Sequence, residues 1–108
     1  MPHLPIACSL SATELPMRLE EIADLGRTAL LDVRDDGRRV RLRFATGPGV
    51  HERVDAIVAA EAECCAFLTI DVAEEPDAIV VTIDAPAGGE LVLAELVEAF
   101  RGRPGAVR

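Results

Sequence analysis

Leu31-Asp32-Val33-Arg34-Asp35-Asp36-Gly37-Arg38-Arg39-Val40-Arg41-Leu42-Arg43-Phe44 is the stretch that decides the fold. Apolar and charged residues alternate on both sides of Asp35-Asp36-Gly37, and period-two alternation marks a strand with one buried face. Asp-Gly between two such runs signals a hairpin, because the turn needs a residue that accepts positive φ. The segment reads as two antiparallel strands. Leu31, Val33, Val40, Leu42 and Phe44 point to one side, and Arg34, Arg39, Arg41 and Arg43 to the other.

The same logic extends in both directions. Thr46-Gly-Pro-Gly49 is a loop, and a helix follows from about Val50 to Ala66. Leu68 to Val72 reads as a strand, Glu74-Glu-Pro-Asp77 as a turn with solvated acids, and Ile79 to Ala85 as a second strand. Pro86-Ala-Gly-Gly89 leads to a helix with its stripe at Leu93, Leu96, Val97 and Phe100. Before the first hairpin, residues 1–10 read as extended. A helix then starts at Ser11 or Thr13. Ser11-Ala-Thr-Glu14 matches a capping box, whereas Pro16 fits the first turn better if Thr13 is the cap. Leu15, Leu19, Ile22 and Leu25 form the stripe of this helix, and Gly26 is its expected stop.

The order is α-ββα-ββα. It predicts an α+β fold, an N-terminal helix plus two ββα units forming an antiparallel four-stranded sheet with helices on one face. Residues 1–100 are expected to form a single domain and 101–108 a frayed C-terminal tail. Asp71 and Asp84 fall on the outward side of the second hairpin, opposite the arginines of the first. The arginine run therefore reads as a solvated cross-strand ladder.

Composition excludes several functions. The chain has 108 residues and is half apolar, enough for one core without disulfides or metals. Its net charge of −8 argues against a nucleic-acid partner, which needs a cationic face. Three Phe with no Tyr or Trp disfavours base and sugar stacking. No apolar run approaches the roughly 18 residues of a membrane span, and the first residues lack a signal-peptide pattern. A cytoplasmic location with no membrane partner is expected. The eleven arginines, with no lysine, fit a GC-rich codon bias and do not imply guanidinium chemistry.

The chemistry-bearing residues are few. The cysteines are Cys8, Cys64 and Cys65, an odd number that argues against a disulfide framework. On a wheel of about 100° per residue, Val50, Val54, Ile57, Val58, Cys65 and Leu68 share one face of the second helix. Glu61 falls at the centre of that face and Glu63 opposite it. An inward carboxyl is costly unless it is protonated, hydrogen-bonded or near a cation or cavity. Glu61 and Cys65 are i and i+4, hence neighbours, with Cys64 on the shoulder. Cys8 lies just before a helix N-terminus, which lowers a thiol's pKa, so it is the expected nucleophile if the chain has one. The Cys64-Cys65 pair lies at a helix C-terminus beside acids, which raises thiol pKa. It is expected to be inert unless a metal displaces the protons. Three thiols with no C-x-x-C and no sure fourth ligand suit a soft ion better than structural zinc. His3 and His51 are read as solvated rather than as ligands. Gly88-Gly89 lacks the pattern and the lysine of a phosphate loop.

Ala7-Cys8-Ser9-Leu10 before a helix and Glu61-x-x-Cys64-Cys65-x-Phe67 before a strand resemble a group of small uncharacterised bacterial proteins. These carry an Ala-Cys-[Ser/Thr]-Leu start and a Glu-x-x-Cys-Cys-Pro-Phe motif. Some are encoded near mercury or other metal-resistance genes. Ala66 stands where the group carries proline. The resemblance implies a metal-stress context and singles out Cys8, Glu61, Cys64 and Cys65.

Three readings follow. The first is binding of a soft thiophilic ion, Hg2+ or As3+, by Cys8, Cys64 and Cys65, with Glu61 as neighbour or weak ligand. The second is a small thiol enzyme using Cys8 and Glu61, cleaving a carbon–mercury bond by protonation or reducing a small substrate. The third is an interaction module with cysteines packed in its core, whose sheet edge pairs with a partner or, as a homodimer, with a second copy.

Overall fold

The computed structural model describes residues 14–102, and within them all side chains except those of residues 14–17 and 64. Seven elements follow the expected order: α1 (Glu14–Ala29), β1 (Leu30–Asp35), β2 (Arg39–Ala45), α2 (Val50–Cys64), β3 (Thr69–Glu75), β4 (Ala78–Asp84) and α3 (Glu90–Phe100). The four strands form one antiparallel sheet in the order β1-β2-β4-β3. Each ββα unit contributes one hairpin, and the second strands of the two hairpins pair at the centre. The extended reading of residues 1–10, the capping box, His3, Cys8 and most of the expected tail lie outside the described residues.

The alternation that predicted the strands is also what builds the core. Val40, Leu42 and Phe44 of β2 stand opposite Ile83, Val81 and Ile79 of β4, and all six are almost fully buried. They pack with Ile22 and Leu25 of α1, Val54 and Ile57 of α2, and Leu93, Leu96, Val97 and Phe100 of α3. The helices therefore cover one face of the sheet. Phe44 and Phe100 meet edge to face, with ring centroids 5.6 Å apart.

The other face carries the arginines. Arg39 reaches Asp84 directly across the β2–β4 pair at 2.7 Å, as the ladder reading requires. Asp71 departs from it. The strand order sets β4 between β2 and β3, so Asp71 faces Thr82. Arg43 instead holds Asp32 at 2.7 Å and Glu75 at 3.8 Å, and Arg41 lies 4.0 Å from Glu75.

Three local expectations are corrected. The acids Glu74 and Glu75 are strand residues, because β3 runs to Glu75 and only Pro76-Asp77 turn. Leu31 does not share the inward row. The β1–β2 register shifts between Leu30 and Asp32, which leaves Leu31 as a bulge residue 52% exposed.

Gly26 is the third correction. It does not end α1, which runs three residues further and passes straight into β1. A β-carbon at Gly26 would lie 1.7 Å from the carbonyl oxygen of Phe100. The glycine is there so that α1 can cross the end of α3 backbone to backbone. Replacing Gly26 with alanine in a helix interior ordinarily stabilises by about 1 kcal/mol. Here Gly26→Ala is expected to destabilise by about 2 kcal/mol or more, because backbone must move to admit the methyl group. Denaturant unfolding checks this, and a more stable variant would contradict the close crossing.

Candidate functional site: a buried carboxyl and thiol on α2

α2 starts after Gly49, which takes a left-handed conformation (φ 77°) open to glycine, and runs with Val54, Ile57, Glu61 and then Cys65 turned inward. Glu61 is 6% exposed and is the one buried charged residue among those described. The wheel placed it correctly. Glu63 is exposed, on the opposite side.

Two groups compensate the buried acid. Arg18 of α1 brings its Nη1 to 3.8 Å from Glu61 Oε2, and its Nε lies 3.4 Å from the exposed Glu21. The Cys65 thiol donates toward Glu61 Oε1, with Sγ 3.9 Å away. The backbone helps to set this geometry. Cys65 leaves the helical conformation (φ −121°, ψ 69°) while its N–H still donates to the Glu61 carbonyl at 2.7 Å. The side chain is thus held at the helix end beside the residue one turn earlier.

Burial raises the Glu61 carboxyl above its usual range, opposed by the Arg18 charge and the Cys65 thiol. Burial also pushes the Cys65 thiol up from 9.0 to about 11, reinforced by the neighbouring carboxylate and its hydrogen bond. At neutral pH Cys65 therefore stays protonated, and it is a poor nucleophile. Arg18 Nη1 is buried with no hydrogen-bond partner among the described residues, since 3.8 Å to Glu61 is an ion-pair distance rather than a hydrogen bond.

Glu61 and Cys65 are therefore together. Cys64 is the last residue of α2, but its side chain lies outside the description, as does all of Cys8. Among the described residues, no three His, Cys, Asp or Glu side chains are arranged to hold a metal ion. His51 is on the first turn of α2, ten residues or roughly 15 Å from Glu61 along the helix. Its Nε2 lies 3.0 Å from Glu74 and 3.6 Å from Asp55, beside a cleft of about 150 Å³ that neither Glu61 nor Cys65 lines. The Gly88 amide that a phosphate would need donates to Glu90 Oε1 at 2.8 Å.

Arg18 is the residue that sequence reasoning missed. The signal was present: it lies three residues after Leu15 and four before Ile22, on the stripe of α1. An arginine on an apolar stripe needs an acid, and Glu61 is the inward acid of the next helix.

These features define a small α+β domain with a carboxyl–thiol–guanidinium cluster where α1 meets α2. No protein-family model, curated protein or solved structure matches the chain.

The raised Cys65 pKa has a sign that can be tested. The folded state holds the thiol proton more tightly than the unfolded chain. The resulting stability is complete below about pH 9 and is lost as pH rises through 11, an amount of about 3 kcal/mol. Urea unfolding at intervals between pH 8 and 11.5 should show this loss in the native protein and not in Cys65→Ala. Equal slopes in both would contradict the buried thiol.

Proposed function

We propose that the protein binds a soft thiophilic ion, mercury(II) or arsenic(III), with Cys64 and Cys65 as adjacent ligands and Cys8 as the third. The observation that supports this reading is the inward placement of Cys65 beside Glu61, in a thiol–acid pair with a second cysteine, Cys64, at the position before it. Hydrocarbon packing accounts for a buried cysteine, which behaves as a small hydrophobe. It does not account for a carboxyl aimed at the thiol from the centre of the same face.

Ion choice follows from the donor set. Thiolates select soft ions, two sulfurs suiting linear mercury(II) and three suiting trigonal arsenic(III) or mercury(II). Binding displaces the thiol proton, because ligation stabilises the thiolate directly. Glu61 is a neighbour that orients the sulfur rather than a principal ligand. The protein acts in sequestration, in a metal-resistance context.

The packing of Cys65 among Val54, Ile57 and Leu68 in the core favours a second reading, an interaction domain whose cysteines are structural. Titration of reduced protein with mercury(II) separates the two. The first reading expects Cys64→Ser/Cys65→Ser to lose affinity by orders of magnitude and Cys8→Ser to lose less. Glu61→Gln should change affinity by about tenfold, the usual scale for a residue that orients a ligand. Unchanged affinity in both cysteine variants would refute the proposal and leave the structural reading.

A further inference from the structure

β1 is an edge strand, and its hydrogen-bonding pattern can be followed from the hairpin turn. Asp36 donates its N–H to the Arg39 carbonyl at 2.9 Å, which makes Asp36 and Arg39 a hydrogen-bonded pair. Antiparallel pairs alternate between hydrogen-bonded and non-hydrogen-bonded. Through the register Asp35↔Val40, Arg34↔Arg41 and Val33↔Leu42, the alternation gives bonds to Arg34 and withholds them from Val33 and Asp35. The N–H and C=O of Val33 therefore point away from β2, toward the open edge.

The charges along this edge are unevenly matched. Arg34 stands directly opposite Arg41, a like-charge pair, and makes no ion pair of its own among the described residues. Asp32, two residues away on the same side of the sheet, is 52% exposed although Arg43 holds one of its oxygens. A strand carrying Asp and Arg symmetrically about a central residue is self-complementary under a two-fold axis through that residue.

We propose that β1 pairs antiparallel with β1 of a second copy of the chain, about a two-fold axis through Val33, so that Asp32 of each chain faces Arg34 of the other. The result is a continuous eight-stranded sheet. Val33 exchanges both backbone hydrogen bonds with its symmetry mate. Asp32 and Arg34 of the other chain then form a non-hydrogen-bonded pair, where side chains are closest, with Cα atoms about 4.5 Å apart. Arg34 gains the carboxylate that its neighbour Arg41 denies it. The exposed Leu31 lies on the same edge and loses solvent contact as the edge is covered. The opposite edge offers no such match: β3 carries Asp71, Glu74 and Glu75 and no cation, so two β3 strands would bring only acids together.

Sedimentation equilibrium on the full chain tests this, from about 1 µM to about 1 mM, the range separating firm from weak association. The native protein is expected to show a monomer–dimer equilibrium. Arg34→Glu should weaken it at least tenfold, because Glu would face Asp32 of the other chain, while relieving the repulsion with Arg41 within the chain. Asp32→Arg alone should weaken it likewise, because Arg would face Arg34 of the other chain. An equimolar mixture of the Arg34→Glu and Asp32→Arg chains should dimerise again, since every facing pair then joins opposite charges. A native chain that stays monomeric, an Arg34→Glu chain that associates as the native one does, or assemblies growing beyond two copies would each overturn the proposal. If Asp32→Arg does not fold, the Arg34→Glu comparison decides alone.

Discussion

The burial of the Glu61 carboxyl is the constraint on which the site depends. A charged carboxylate cannot enter a hydrocarbon core without compensation. Here the compensation comes from two places: a guanidinium on α1 at 3.8 Å and the thiol of Cys65, just past the end of α2, at 3.9 Å. The ion pair couples the placement of α1 to that of α2. It also keeps an arginine turned toward a face that is otherwise apolar, at the cost of one buried nitrogen without an acceptor among the described residues. Removing one partner of such a buried pair is more damaging than never having built it.

The frame around this cluster makes the placement rigid. α1 and α3 touch backbone to backbone at Gly26 and Phe100, and the Phe100 ring then meets Phe44 of the central strand. Through Phe44 the helical layer is tied to the β2–β4 pair, whose inward residues are buried almost without exception. α2 closes over the β3 side, and its last turn delivers Glu61 and Cys65 to the inner face. On the far face of the sheet, Asp32, Glu75 and Asp84 offset Arg39, Arg41 and Arg43, and Arg34 at the β1 edge is left without an acid of its own among the described residues.

The hairpins, the helical stripes and the inward Glu61 were legible because each depends on a local period that the residues carry themselves. Val40-Arg41-Leu42-Arg43-Phe44 can bury one face only as a strand, and the α2 pattern can turn Cys65 inward only by turning Glu61 with it. What was not legible depended on long-range contact. Gly26 looks like a helix stop until Phe100, distant in sequence, occupies the space a side chain would need. The partner of Asp71 depends on strand order, which no residue of β3 encodes. Leu31 is exposed because a bulge breaks the alternation. Arg18 lies on the apolar stripe of α1 as Glu61 lies on that of α2, so the same local period carries the signal for both.

X-ray absorption at the mercury edge, on reduced protein loaded with one equivalent of mercury(II), tests the central claim most directly. A first coordination shell of two or three sulfur atoms, lost in Cys64→Ser/Cys65→Ser, is the result the account predicts. A shell of nitrogen or oxygen, or one unchanged by removing both sulfurs, would contradict it.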